Sequence, residues 1–519
     1  MAHGGVAEYP MGEEAEQTRR TLRFVFSVAC ERAFPKHRVV GGNAVGNGYW
    51  YSMSPASSAG GVLWAAPCAA TDAAKILVEM QALIKQDLGI SDEQVAYKEV
   101  VEYMKVSQQH IALNLLTQRV PLESTVRVKT CTVESTRHMR LSWFPLLPKV
   151  SALAGVPFSV ESYAHGGLML VQGKTLVDQP ALSQAVGELK KWSAAAGIVC
   201  TSDLCHVEEH DSKQALLVHA AEARLESKLG QLATAIAARH AQHKVRVVCI
   251  AGPTASGKTT FSHKLALALR AEGISATPLT VDHYYLPLDR QPKYQARQSR
   301  ADVDYDSIES MDVELVQQHI MALTQGQSVT TPIYNMKTGY RDEPGKEMAL
   351  GSGSGEEGVL IIEGIHALNP HYTSKIAPTE KFRIFISPIT SLQLDDCNAF
   401  KTTDSRLCRR MCRDYLFRGN NASKTLSMWD NVRRGEHSWI FPHQNGADVV
   451  YNSCMESELP ALKGRLDQLL RVVGPEDANY AKAQHLLCAL DSLPTWQDKD
   501  VSTTSLLREF IGGSAFNVH

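Results

Sequence analysis

Residues 252–260 read GPTASGKTT, and no other stretch of the chain constrains its fold as tightly. Gly252, Gly257, Lys258 and Thr259 satisfy the spacing G-x-x-x-x-G-K-[ST]. Upstream, Val245-Arg246-Val247-Val248-Cys249-Ile250 is a short β-branched run suited to a buried parallel strand. Downstream, Phe261, Leu265, Ala268 and Leu269 recur at helical spacing, and Gly273 supplies a stop. A strand, a glycine loop and a helix in that order present backbone N–H groups and a helix N-terminus to an anion. In this arrangement Lys258 is expected to reach the β- and γ-phosphates of a nucleoside triphosphate, and the Thr259 hydroxyl to ligate Mg²⁺. The nucleotide-binding set is Gly252, Pro253, Thr254, Ala255, Ser256, Gly257, Lys258, Thr259 and Thr260.

The rest of the chain sets bounds on that reading. With 519 residues there is room for about two to four domains. A formal net charge of -2 gives no global pull toward nucleic acid or an acidic membrane, so basic function has to be local. Eleven cysteines, scattered and without a CxxC pair, read as free thiols of a reducing compartment rather than a disulfide framework. No apolar run approaches the ~18 residues of a membrane span. The opening MAHGGVAEYPMGEEAEQ has neither an apolar targeting core nor an Arg/Ser-rich transit character. A cytoplasmic protein without membrane contact is the expectation.

Along the chain, residues 1–16 read as a flexible tail and 17–200 as a mixed domain of the α+β kind. Within it Arg19 to Phe34 is a helix candidate, and Asn47-Gly48 turns into a strand at Tyr49-Trp50-Tyr51. Thr125 to Val133 alternates like a strand, and Val126, Val128 and Cys131 can share a face only across a bulge. Residues 201–243 are rich in Ala, Glu, Leu and Lys and predict a helical linker. Residues 244–473 form the phosphate-loop domain, in which strands alternate with helices and predict an α/β fold, a parallel sheet with helices on both faces. Gly351 to Gly355 is a flexible loop inside it, followed by a buried strand at Val359 to Ile362. Residues 474–519 are a C-terminal helical segment whose apolar end, Ser505 to Gly513, is expected to dock back.

Several polar residues fall where such a sheet carries chemistry. Ala276 to Val281 is the second strand and ends at Asp282, which can accept the proton of an attacking hydroxyl or merely form an Asx turn. Glu363 ends an apolar strand and can hold Mg²⁺, directly or through water; capping at the surface is the plainer alternative. His366 has no partner pattern and reads as a helix-start or core histidine. Arg406, Arg409, Arg410, Arg413 and Arg418 follow, with Arg406, Arg410 and Arg413 on one helical face. They can form a basic lid over the triphosphate or a solvated basic helix, and without interleaved aromatics they do not read as a nucleic-acid surface. Asp304-Tyr305-Asp306 and Pro332-Ile333-Tyr334-Asn335 can clamp a hydroxylated acceptor or form turns and a strand edge.

In this order GPTASGKTT, VDHYY, DYDSIESMD, TPIYN, IIEGIHALNP and DSRLCRRMCRDYLFRG resemble the phosphoribulokinase/uridine kinase family of P-loop kinases, over roughly residues 244–455. The resemblance implies ATP-dependent phosphorylation of a hydroxyl, with Asp282 as general base and Glu363 as metal carboxylate. It places Arg410, Arg413 and Arg418 among lid arginines, with Lys258, Arg410 and Arg413 catalytic, Arg418 on ATP, and Asp306, Tyr334 and Arg413 on the acceptor. Where uridine–cytidine kinases carry a Phe and a His against the pyrimidine, this chain has Met336 and Gly339, and Asn420 and Met428 replace two further lid-region groups. Those departures weaken discrimination for a pyrimidine edge, so the implied acceptor is nucleoside or sugar-like without commitment to uridine.

RRTLRFVFSVACERAFP and NGYWYS resemble the second, editing-type domain of threonyl-tRNA synthetase. Its catalytic H-x-x-x-H aligns here with Arg20 and Phe24, neither of which can act as a neutral imidazole. The resemblance therefore implies a binding or scaffolding module, with RNA contact an open reading. The alternative to a kinase is an ATP-binding regulatory protein whose N-terminal module contacts an RNA or protein partner.

Overall fold

Asn47 fastens the first hairpin, donating from its amide to the Gln172 and Thr175 carbonyls and accepting from the Val177 N–H. The structure, a computed structural model, describes residues 12–56, 68–208, 211–291, 306–351 and 358–516. The hairpin joins β1 (His37–Val45) to β2 (Gly48–Pro55). A second antiparallel sheet runs β3 (Ser91–Ala96), β4 (Thr125–Val133) and β5 (Thr136–Leu141). With β6 (Phe158–Ser162) and β7 (Leu168–Gln172) the first sheet has the order β1-β2-β7-β6. The helix Glu13–Ala33 and the helix Ala70–Ile84 contribute Phe26, Ala29, Ile76 and Met80 to the core beside it. That first helix begins at Glu13, inside the stretch expected to be a tail, and Glu16 pairs there with Lys401 at 2.6 Å; residues 1–11 lie outside the described residues.

No bulge occurs in β4. Its pairing with β3 and β5 is continuous, and Val126 and Val128 enter one core while Cys131 and Val133 enter another. A strand that serves two cores loses the simple in–out alternation without any insertion.

A second group of strands begins with β8 (Val247–Ala251) and β9 (Ala276–Thr280), then a hairpin of β10 (Val329–Asn335) and β11 (Tyr340–Met348). It continues with β12 (Val359–Glu363), β13 (Lys381–Ser387) and β14 (Val449–Asn452). Five of these form an all-parallel sheet in the order β14-β13-β8-β12-β9. Every residue of β8 and β12 is buried, as strands covered on both faces must be. The chain leaves β8 for one side of the sheet and returns later on the other, so the order reverses at β8 and opens a crevice at its carboxyl end. The fold is thus a parallel α/β sheet flanked by helices, with an additional N-terminal α+β region.

By compactness the chain divides into two units that interleave in sequence, rather than the contiguous blocks suggested by composition. One holds Met1–Gln214, Ile389–Thr402 and Ala481–Thr495; the other holds Ala215–Pro388, Thr403–Tyr480 and Trp496–His519. Inside the first, Asp396 accepts from the Ile111 and Ala112 N–H groups at the start of the helix His110–Arg119, and Trp143 donates to Asp395 at 2.6 Å. The residues expected as a linker form the helices Thr201–Glu208 and Asp211–His243, the latter containing the boundary between units. The eleven cysteines are free thiols, most of them buried. Among the described residues no helix is long and apolar enough to cross a membrane.

Candidate active site

The loop after β8 turns on two positive-φ residues, Ala255 at 58° and Gly257 at 89°, and Gly257 caps the helix Lys258–Ala271. At Gly252 a Cβ would collide with the Ile386 carbonyl of β13, so only glycine lets the loop leave the sheet so closely. Four consecutive loop carbonyls are engaged by protein donors. Lys258 Nζ donates to Pro253 at 3.2 Å, Arg406 to Thr254 at 3.2 Å, Arg409 to Ala255 at 3.3 Å and Ser453 Oγ to Ser256 at 2.7 Å. What the loop then has to offer an anion is its row of N–H groups at the positive end of a helix.

Two carboxylates stand beside it. Glu363, the last residue of β12, is buried and accepts from the Thr259 hydroxyl at 3.2 Å. Asp282 lies in the 3₁₀ turn Val281–Tyr284; the strand ends at Thr280, a residue earlier than the apolar run implies. A Cβ built at Gly364 would sit 3.0 Å from Asp282 Oδ1, so glycine is what admits the carboxylate there. Burial, reinforced by the neighbouring Asp282 charge, pushes the Glu363 carboxyl up to about 7. Glu363 Oε2 and Asp282 Oδ1 are both buried without a hydrogen-bond partner. Orphaned carboxylate oxygens beside a threonine hydroxyl are a donor set that fits a hard divalent cation. Among the described residues no three or more His, Cys, Asp or Glu gather as a cage.

The arginines divide into two kinds. Arg406 is buried in a bidentate pair with Glu436, its Nη2 donating at 2.8 Å, and Arg409 is buried against Glu458, its Nε donating at 2.6 Å. The expected lid face of Arg406, Arg410 and Arg413 is therefore corrected: Arg406 is neutralised by Glu436, 30 residues on, and braces the loop at the Thr254 carbonyl. Farther along the same helix, Thr402–Arg418, three guanidinium groups converge on one carboxylate. Arg410, Arg413 and Arg418 pair with Asp414 at 3.2, 3.0 and 3.4 Å. Burial works to raise the Asp414 carboxyl, but the three cations outweigh it and hold the group below its ordinary range. Repulsion from Arg413, with burial behind it, lowers Arg418 to about 10. Arg410 also donates to the Thr254 hydroxyl at 3.3 Å, so the excess positive charge borders the loop.

Of the residues expected to meet an acceptor, Tyr334 is buried, donates its N–H to His283 Nδ1 at 3.2 Å and stacks obliquely on Tyr285 with ring centroids 5.3 Å apart. Asp306 lies against Gly435 at the end of the helix Ala422–Gly435, where a Cβ would meet its carboxylate at 2.7 Å. Asp304, Tyr305 and the stretch Ser352 to Gly355 lie outside the described residues. Met336 is half exposed, and Gly339, with φ 81°, closes the β10–β11 turn. A side chain at Gly339 would also press on Leu288 at 3.1 Å, so the turn favours glycine there. His366 is buried near Tyr372, a core position.

Two groups escaped the sequence reading. Tyr285 is buried within reach of the Asp306, Asp282 and Tyr334 charges, and burial followed by those neighbours raises its phenol well above the ordinary value. It follows Asp282 within DHYY, which could have marked it. Glu509, on the C-terminal helix Arg508–Ile511, accepts from the Thr260 hydroxyl at 2.8 Å, while Leu506 lies 3.4 Å from a Cβ placed at Gly257. The segment Ser505 to Gly513 docks back as its apolar character led one to expect, but no local pattern singled out Glu509 as the residue that meets the loop.

With this geometry established, comparison with known proteins is specific. Residues 247–460 match the Phosphoribulokinase / Uridine kinase family model, and this span is a P-loop kinase domain of that family. A uridine kinase of Schizosaccharomyces pombe is 31% identical over 189 residues, covering 36% of this chain and 36% of that protein. A uridine kinase of Shewanella amazonensis is 27% identical over 234 residues, covering 43% of this chain and 96% of that protein. The chain spans little more than a third of the yeast relatives it matches, 36% and 37% of their lengths. Among solved structures, a putative fructose transport system kinase from Silicibacter sp. TM1040 aligns at 21% identity and TM-score 0.32, covering 43% of this chain and 98% of that one. A possible uridine kinase from Bacillus stearothermophilus aligns at 18% identity and TM-score 0.27, covering 40% and 88%.

Proposed function

We propose that this chain is an ATP-dependent kinase that transfers the γ-phosphoryl group to a hydroxyl of a small nucleoside or sugar-like acceptor. The observation that carries the reading is the buried, unpartnered Asp282 Oδ1 beside Glu363 and the phosphate loop. A loop that only holds nucleotide has no need of a second buried carboxylate, whereas transfer to a hydroxyl needs a base. In this reading the loop N–H groups of 252–260 and Lys258 hold the phosphates, and Asp282 removes the acceptor proton. Arg410 and Arg413 offset charge on the transferring group, and Arg418 binds the nucleotide. Thr259 and Glu363 would hold Mg²⁺, which when bound neutralises phosphate charge. Asp306, Tyr334 and Arg413 position the acceptor, and closure of the arginine helix excludes water that would otherwise compete with it. Met336 and Gly339 supply no group for a pyrimidine edge, which favours an acceptor recognised through its sugar hydroxyls.

The second reading, an ATP-binding regulatory protein with an N-terminal module for an RNA or protein partner, is favoured by Arg20 and Phe24 standing where the synthetase-like domain would need histidines. An ADP-release assay on the intact chain, with nucleosides, pentose phosphates and polyols offered in turn, separates the two. Release stimulated by one acceptor supports the kinase. Tight ATP binding with no acceptor-stimulated release across the panel rejects it in favour of the regulatory reading.

A further inference from the structure

The first unit contains a basic concavity that the kinase reading does not use. It encloses only about 30 Å³, opening to about 390 Å³ when the adjoining solvent space is counted, and its charged lining is Arg20, Arg23, Lys129 and Arg140, with no acidic residue among the lining groups. Two independent elements supply the cations. Arg20 and Arg23 are three apart on the helix Glu13–Ala33, and Lys129 and Arg140 are directly opposed partners of the β4–β5 ladder. Like charges in either relation repel and, unassisted, destabilise the element that carries them.

The compensation is incomplete on the helix side. Lys129 pairs with Asp92 at 2.7 Å and Arg140 with Glu31 at 2.8 Å. Arg23, in contrast, donates to the Tyr51 hydroxyl at 3.0 Å and to the Cys397 carbonyl, both neutral, and among the described residues no carboxylate pairs with it. Arg20 has a side chain only 9% exposed, and its Nε is buried with no hydrogen-bond partner. Its nearest carboxylates are Glu13 at 3.2 Å and Glu16 at 3.9 Å, and Glu16 is already shared with Arg19 and Lys401. Arg20 is thus partly compensated and Arg23 is not: burying the Arg23 guanidinium without a carboxylate is costly, and an anion in the concavity offsets that cost.

We propose that this concavity binds a small phosphate-bearing anion. Cations arriving from a helix and from a sheet suit a tetrahedral, doubly charged group better than a planar carboxylate, which one arginine fork can satisfy alone. The apolar part of the wall, Phe24 and Leu146, suits the body of an organic ester. The assignment is independent of the kinase reading, since every lining residue belongs to the first unit.

Calorimetric titration of the intact chain with ribose 5-phosphate tests it, with malonate and a short RNA oligonucleotide as comparison probes. Expected is saturable ribose 5-phosphate binding that weakens by about tenfold or more in Arg23→Gln, the scale of one charge-assisted hydrogen bond. Arg20→Met, which leaves the Tyr51 and Cys397 contacts in place, should weaken it as well, and it decides the matter if Arg23→Gln does not fold. Absence of saturable binding overturns the proposal. So does binding that neither variant alters, which would place the ester at the phosphate loop, or tighter binding of malonate. RNA binding that depends on Arg23 without any binding of ribose 5-phosphate also overturns it.

Discussion

Arg409 and Arg410 are adjacent in sequence, yet they face opposite electrostatic situations. Arg409 and Glu458 are both fully buried, one charge against one, with Ser453 completing the hydrogen bonds. Arg410 shares the single Asp414 with Arg413 and Arg418, and its guanidinium also reaches the loop at Thr254. A balanced buried pair holds structure in place and offers nothing to a ligand. An unbalanced trio keeps positive charge in reserve, which in the proposed reading the phosphates of the nucleotide would balance.

Substitutions should separate the two kinds of arginine. Arg409→Met leaves Glu458 buried and uncompensated, and unfolding by denaturant should reveal a loss of about 3–5 kcal/mol. Adding Glu458→Leu should recover part of that loss. Arg413→Ala should behave oppositely, slowing phosphoryl transfer about 10²–10³-fold while leaving the unfolding midpoint near that of the wild type. If Arg413→Ala costs as much stability as Arg409→Met, the distinction fails. Glu509→Gln keeps the shape of the C-terminal helix but weakens the Thr260 contact. It should cost about 1 kcal/mol in thermal unfolding and raise the KM for ATP more than it lowers kcat. The smallest effect is on pH dependence. Asp414 has a depressed carboxyl, so its contribution to stability is present above the ordinary carboxylate range and is lost as the pH falls through its lowered value. The stability difference between wild type and Asp414→Asn should therefore shrink below about pH 4.

The same contrast explains what could be read in advance. The phosphate loop, the carboxylates at the ends of β9 and β12 and the parallel sheet were legible because each rests on local pattern: glycine spacing, β-branched runs, a polar residue closing an apolar strand. Helical periodicity put Arg406, Arg410 and Arg413 on one face, but what separates Arg406 from the others is Glu436, which no local rule connects to it. The interleaving of the units was hidden for a related reason. Residues 389–402 join the first unit through contacts such as Asp396 with the Ile111 and Ala112 N–H groups, and composition carries no trace of pairing over that separation. In β4, alternation misled because the strand borders two cores.

In the proposed reading Asp282 serves phosphoryl transfer rather than nucleotide holding, and Asp282→Asn separates the two roles. With the acceptor that best stimulates ADP release, single-turnover transfer and ATP affinity are measured side by side. Expected is near wild-type ATP affinity with transfer slowed about 10²–10⁴-fold, the scale of a lost general base. Transfer at the wild-type rate in that variant would contradict it.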